Sequence, residues 1–345
     1  MAKLVETSPT FTVALDAMGG DYGPEETVAG GVQAAREQGV GVVLVGDETK
    51  IHEELAKLQL DGLPVYVEAS HGIIEETDHP LQAIREKPTA SIVEATKLVR
   101  TGRTQAVVSM GSTGGAMATS SLILGLVEGM ERPALGGPIL GQLSSAVILD
   151  LGSNVDCRPS QLLGFAAIGT AFARKIQHIE NPRIALLSVG AEEGKGNRQV
   201  REAYSLFQEN LQNFVGNIEG VDIFHDKADV IVCDGFVGNI LLKFAEGLGM
   251  KLIASLPALL ESAMPRESIL KLGEGLLSGT NVAETLGGAP LFGVKGVSIV
   301  GHGRSRAPNI ASAVHMAKRV WDSGMNDAVE KELSALHQKV ANPYG

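Results

Sequence analysis

Five short apolar runs, each closing in a loop of Gly, Ser, Asn and Asp, constrain the fold of this chain more than any other feature. They are Val13 to Leu15 before DAMGGD, Ala106 to Val108 before SMGSTGG, Ala146 to Leu149 before DLGSNVD, Ile184 to Leu187 before SVGAEEGKG, and Val230 to Val232 before CDGFVGN. Apolar runs this short, bounded by turn residues, read as strands buried on both faces. Helix-like sequence after each loop predicts β-loop-α units on a parallel sheet, with the five loops along one edge. Glycine loops that open into helix N-termini present free N–H groups to anions. Together the five predict one polar pocket for phosphate-like groups.

The same rhythm sets the remaining elements. It predicts strands Phe11 to Asp16, Gly41 to Val45, Val65 to Glu68 and Val297 to Val300, with a helix from Pro24 to near Gly39 whose Glu25 and Glu26 suit its positive start. Further helices are expected over Thr49 to Leu60, Gly114 to Val127, Ser160 to Ile176 and Gly196 to Glu209, and two more close the chain. Another, near Thr89 to Val99, opens on a capping box, Ser91-Ile92-Val93-Glu94. Between Ala69 and Pro88 lies an irregular polar stretch, long enough to point to function. From Ile240 to Ser278 apolar residues cover more than one helical face, and Pro257 and Pro265 divide the stretch. This predicts an apolar helical hairpin at residues 240–280, within a single α/β domain over residues 1–345. Its apolar surface exceeds what one sheet buries and suits a dimer contact or, alternatively, a membrane surface or acyl chain.

Composition removes several function classes. The net charge of -11, with one Trp and four Tyr, argues against a nucleic-acid surface, which needs clustered cations and stacking rings. Arg85, Lys87, Lys97, Arg100 and Arg103 nevertheless fall close together in sequence, either as a solvated helix face or as a basic patch. Two cysteines make no disulfide framework, and Met1 to Thr10 has no apolar core of a leader, so a cytoplasmic location is expected. No P-loop occurs, because Lys195 in GAEEGKG is followed by Gly, and neither G-x-G-x-x-G nor G-x-S-x-G follows a strand. Eight scattered histidines lack HExxH, and neither a metal nor an organic cofactor is expected.

What remains is a few charged and amide residues among loops rich in donors. Asp16 and Asp21 flank Gly19 and Gly20, Lys195 follows Glu192 and Glu193, and Asp234 and Asn239 bracket Gly235 to Gly238, with Lys243 one turn on. Taken singly, each reads better as a cap or turn residue; their recurrence on one edge favours a site. Transfer of an acyl group from a thioester to inorganic phosphate needs neither metal nor side-chain nucleophile. Phosphate is already an anionic nucleophile and thiolate leaves readily, so the protein must mainly align two reactants and stabilise a tetrahedral oxyanion.

From Val13 to about Met316 the chain resembles the PlsX family, the bacterial phosphate acyltransferases of phospholipid synthesis. The marks are ALDAMGGD (Ala14 to Asp21), Arg132 to Leu135, LDLGSNVDC (Leu149 to Cys157), EEGKGN (Glu192 to Asn197), GNIEG (Gly216 to Gly220), DVIVCDGFVGNILLK (Asp229 to Lys243), GGAPLFGVKG (Gly287 to Gly296) and HGRS (His302 to Ser305). The resemblance implies a three-layer α/β/α sandwich, Rossmann-like and similar to phosphotransacetylases and to isocitrate and isopropylmalate dehydrogenases, usually as a homodimer. It also implies conversion of a long-chain fatty acyl-(acyl carrier protein) and phosphate to acyl phosphate, which passes to a membrane glycerol-3-phosphate acyltransferase. A peripheral encounter with the inner face of the membrane follows, and Arg85 to Arg103 become a landing patch for the acidic carrier.

On this resemblance Asp16, Gly19, Gly20, Asp21, Gly111, Ser112, Thr113, Gly114 and Lys243 are expected around phosphate or substrate, with Lys195 balancing charge. Asn154, Asp234 and Asn239 would orient the thioester carbonyl and attacking oxygen, and His302 would meet the leaving group. Three positions depart from the family's pattern: Ser112 replaces an amide, Ser153 replaces Ala in L-G-A-N, and Ser188-Val189-Gly190-Ala191 stands for N-I-G-E. The alternative is a short-chain phosphotransacylase that uses acyl-CoA.

Overall fold

A computed structural model describes residues 10–141, 144–282 and 286–341. In chain order the elements are β1 (Thr12–Asp16), α1 (Glu25–Gln38), β2 (Gly41–Gly46), α2 (Glu48–Leu55), β3 (Val65–Ala69), α3 (Pro80–Glu86), α4 (Ser91–Arg100), β4 (Ala106–Ser109) and α5 (Thr113–Ile123). Next come β5 (Ala134–Pro138), β6 (Val147–Leu149), α6 (Pro159–Ile176), β7 (Ile184–Leu187), α7 (Arg198–Asn210), β8 (Phe214–Ile218) and β9 (Val230–Val232). The last are α8 (Gly235–Leu260), α9 (Arg266–Thr280), β10 (Ala289–Phe292), β11 (Val297–Val300), α10 (Ala307–Asp322) and α11 (Met325–Ala341).

A single domain is expected from the sequence; the described residues fall into two compact units. The first holds residues 10–127 and 286–326, the second residues 128–282 and 327–341. In the first unit the strands run in the order β3-β2-β1-β4-β11-β10, parallel except for β10 against β11. Val13, Ala14 and Leu15 are fully buried, as are Val42 and Leu44 beside them, because α1 packs on one side and α4 lies across β1, β2 and β4. Removing each such Val or Leu from water stabilises by ~1.5–3 kcal/mol. α1 stops at Gly39, whose φ of 64° is the left-handed turn that glycine adopts without cost. Because β1 leads to β2 on one side and β4 stands on the other, the loops after β1 and β4 flank a topological switch point, where open α/β sheets bind ligands.

The second unit repeats the plan with the order β5-β6-β9-β7-β8, parallel except for β5 against β6. Leu149 and Leu186 both stand opposite Val232, so the loops after β6, β9 and β7 leave adjacent strand ends. α6 covers β6 and β9. The apolar stretch forms α8 and α9, packed on each other, and α8 runs through Pro257 to end one turn later. Leu242, Gly249 and Ile269 are buried, whereas Ile240, Phe244, Leu248, Leu252, Leu259, Leu270 and Leu272 are exposed, Phe244 by 65% and Leu259 by 70%. No helix among the described residues is long and apolar enough to cross a membrane.

Three strands escape the sequence pattern. β5 (ALGGP) and β10 (APLF) carry turn-forming Gly or Pro, and β8 is only partly buried, so none shows a clean apolar run. α3 interrupts the stretch expected to be irregular. The expected capping box fails too: Ala90 is the residue before α4, Ser91 is its first residue, and no side chain caps it.

Candidate active site

In the first unit a buried carboxylate organises the loop after β1. Asp16 is 2% exposed, and it accepts from Met18 N–H at 3.3 Å, Gly19 N–H at 3.1 Å and the Ser109 hydroxyl at 2.7 Å. Burial pushes its carboxyl up from the usual carboxylate range despite these donors. Asp16 therefore ties the end of β1 to the end of β4 and has no face left for substrate. Gly19 is required where the two loops meet: a Cβ there would lie 2.7 Å from Asp16 Oδ2 and 2.8 Å from Gly111 N. Gly111 N–H is held by Ser109 Oγ at 3.1 Å, and Asp21 N–H reaches the Gly303 carbonyl at 2.8 Å, which brings in the loop after β11 that carries His302. Thus Asp16, Gly19, Gly20, Asp21, Gly111, Ser112, Thr113, Gly114 and His302 do share one strand-end cluster.

The start of α5 holds its donors against acceptors already in place. Ser112 is the N-cap, accepting from Gly115 N–H at 3.2 Å. Its hydroxyl approaches Glu76 Oε2 at 3.4 Å, and Thr113 N–H donates to Glu76 Oε1 at 3.2 Å. Sequence reasoning missed Glu76, which comes from the polar stretch after β3.

The second unit carries a matching device after β6. Asp150, fully buried, accepts through Oδ1 from Leu135 N–H (3.2 Å), Gly152 N–H (3.2 Å), Ser153 N–H (3.1 Å) and the Ser153 hydroxyl (2.5 Å). Through Oδ2 it accepts from Asn154 N–H (2.6 Å) and Asn154 Nδ2 (2.9 Å). Burial again pushes the carboxyl up. Both buried carboxylates take the N–H groups two and three residues on. Asn154 differs from expectation: its amide nitrogen also donates to the Pro133 carbonyl at 2.8 Å, so its donors are spent on holding the loop. Ser153 supplies a hydroxyl that bonds Asp150.

Asp234 caps α8 through Val237 N–H at 2.8 Å; it is half-buried, and burial first, then the charge of Asp156, pushes its carboxyl up. Asn239 is exposed one turn into α8, with its side chain over Gly152. Gly238 lets the two loops touch, because a Cβ there would run into the Asp150 carbonyl. Lys195 is exposed in the loop after β7, its stem laid against Gly190. Ser188 in that loop keeps a buried hydroxyl with no partner among the described residues. Lys243 is drawn to the buried Glu246 at 2.9 Å, about two turns along α8 from the strand-end loop.

Neither cysteine is an activated nucleophile. Burial pushes the Cys157 thiol up to about 12, helped by Asp150 and Asp234, and Cys233 rises well above the ordinary thiol value for the same reasons. Among the described residues no three His, Cys, Asp or Glu side chains form a group able to hold a metal ion. In the basic cluster Lys87 pairs with Asp78, Lys97 with Glu94 and Arg103 with Glu68, while Arg100 donates to the Leu124 carbonyl and Arg85 is exposed. Such surface pairs are worth only ~0–1 kcal/mol and leave the cations able to meet another partner.

Buried carboxylates that shape glycine loops, side-chain caps at the starts of α5 and α8, and unactivated thiols mark the strand ends of this α/β fold. Residues 11–328 match the family described as fatty acid synthesis protein, and the chain belongs to that family. It is 44% identical over 328 residues to a phosphate acyltransferase of Nitratidesulfovibrio vulgaris, covering 94% of this chain and 95% of that one. It is 43% identical over 324 residues to the phosphate acyltransferase of Desulforamulus reducens, covering 93% and 97%. By this membership it is an acyltransferase. The fold is that of a Streptococcus pyogenes phosphotransacetylase, with a TM-score of 0.60 at 17% identity over 95% of this chain and 94% of the other, a three-layer α/β/α arrangement.

Proposed function

We propose that the chain transfers a long-chain fatty acyl group from an acyl carrier protein to inorganic phosphate, giving acyl phosphate and free carrier. The observation that carries this is the start of α5 beside the switch point, where a carboxylate oxygen already occupies the N–H of Thr113 and the hydroxyl of Ser112 faces it. Phosphate offers the same acceptor chemistry to Gly111, Ser112, Thr113 and Gly114. A phosphate oxygen attacks the thioester carbonyl carbon, the carbonyl oxygen takes the negative charge, and collapse breaks the carbon–sulfur bond and releases the carrier's thiolate. Lys195 is assigned to balancing the charge of phosphate, and Asp234 and Asn239 to orienting the thioester carbonyl and the attacking oxygen; Asn154 acts through the loop it holds.

Attack by phosphate itself leaves no role for an acyl-enzyme on sulfur. At neutral pH a thiol titrating near 12 is thiolate in roughly one molecule in ten thousand or fewer. Cys157→Ser is therefore expected to keep turnover within about threefold, ~0.65 kcal/mol at the transition state, as read by hydroxylamine trapping of acyl phosphate. A hundredfold loss would restore a thiol intermediate.

The same reading makes Arg85, Lys87, Lys97, Arg100 and Arg103 the landing patch for the carrier. It places a second copy of the chain on the exposed face of α8 and α9, and a membrane glycerol-3-phosphate acyltransferase downstream of a cytoplasmic enzyme. The deciding assay offers long-chain acyl carrier protein and acyl-CoA separately, with and without phosphate. Phosphate-dependent product from the carrier is expected. Product only from short-chain acyl-CoA would establish the phosphotransacylase alternative, and none from either would end the proposal.

A further inference from the structure

We propose that Glu76 is a built-in competitor for phosphate, so that the connection between β3 and α3 sets how much phosphate the enzyme requires; this rests on the assignment of phosphate to Gly111–Gly114. The carboxylate is the anion that the start of α5 holds, through Thr113 N–H at 3.2 Å and the Ser112 hydroxyl at 3.4 Å. Both contacts lie at the long end of hydrogen bonding, so they fill the donors without binding the side chain tightly. Ser112 explains why the carboxylate belongs there. Its oxygen already accepts Gly115 N–H, which leaves its single proton to be given to an acceptor in front of the helix.

The loop that carries Glu76 is fixed while the side chain is not. Ile74 is buried against the first turn of α5, where a Cβ on Gly115 would come within 2.9 Å of it, and a Cβ on Gly114 would come within 3.1 Å of Pro80. Lys87 donates to the Ile73 carbonyl at 2.9 Å and to Asp78 at 2.6 Å, and Asp78 accepts Glu75 N–H at 2.9 Å. Glu76 itself is exposed. A change of rotamer therefore takes its carboxylate off the helix into water and leaves the loop in place. Two anions cannot share one set of donors, so phosphate enters only as the carboxylate leaves, and a remaining negative charge nearby opposes it.

Glu76→Gln keeps an acceptor oxygen for Thr113 and removes the charge; Glu76→Ala removes both. In the full-length protein, with acyl phosphate trapped by hydroxylamine at a fixed acyl-donor concentration, both variants are expected to lower the KM for phosphate by about fivefold. The KM for the acyl donor stays within about twofold. An unchanged or higher phosphate KM overturns the proposal, and so does a tenfold fall in kcat in both variants, which would make Glu76 a group acting on the reacting phosphate. If the unmodified protein gives no phosphate-dependent product, the assignment of function fails instead. Calorimetry with inorganic phosphate alone then decides between the variants: tighter binding to Glu76→Gln supports the competitor, and equal or weaker binding overturns it.

Discussion

Replacing Asp150 by asparagine is expected to cost the fold about 2–4 kcal/mol. Every donor around this side chain aims at an oxygen: four at Oδ1 and two at Oδ2. An amide must turn its NH2 toward one set, so either the two Asn154 donors or the Gly152 and Ser153 N–H groups face another donor, while Leu135 N–H keeps the Ser153 oxygen at 2.8 Å. Each buried donor left unmet costs ~1–3 kcal/mol. The opposing effect is relief of a buried charge, the same burial that pushes the Asp150 carboxyl up. Loss of donors prevails because several are stranded by a single change. Urea unfolding of the variant reads the difference directly, and a loss under 1 kcal/mol would show that the loop is held by something else.

Lys195→Ala is expected to lower kcat/KM by about a hundredfold, ~2.7 kcal/mol of transition-state stabilisation. The ammonium group is exposed, the loop keeps its shape through the Lys195 N–H to Glu192 carbonyl bond at 3.0 Å, and that bond does not depend on the side chain. Unfolding free energy should therefore stay within ~0.5 kcal/mol of the parent, which separates a chemical loss from a folding one. Turnover within about threefold of the parent would remove Lys195 from the machinery. The pair of variants divides the second unit's loops into one that shapes and one that acts.

Strands that bury both faces announce themselves, and so β1, β2, β4, β6, β7, β9 and β11 fall where the apolar runs lie. β5 and β10 do not, because an antiparallel partner tolerates the Gly and Pro that sequence alone reads as a turn. The strand-end loops were legible as a set, yet the roles inside them were not. Asp150 looked like one turn residue among many, since its partner Leu135 lies fifteen positions away. Asn154 looked available for substrate because Pro133, which takes its amide, is twenty-one residues back. Asp234 as a cap follows from local spacing, whereas Glu76 reaches Thr113 across thirty-seven residues and nothing local marks it. The basic cluster was visible as charges; its counter-charges Glu68 and Asp78 come from a strand and a loop outside the run.

The first unit is assembled from two separate segments, with residues 128–282 of the second lying between them in sequence. During synthesis β1 and β4 emerge early, but β11, their neighbour beyond β4, follows almost two hundred residues later. Until then Asp21 N–H has no Gly303 carbonyl to meet, and the loop after β1 is left open. Most of the second unit is thus outside the ribosome before the first can close, and contacts this far apart in sequence form slowly. A nascent chain stalled before residue 297 would carry the glycine loop's sequence without its shape.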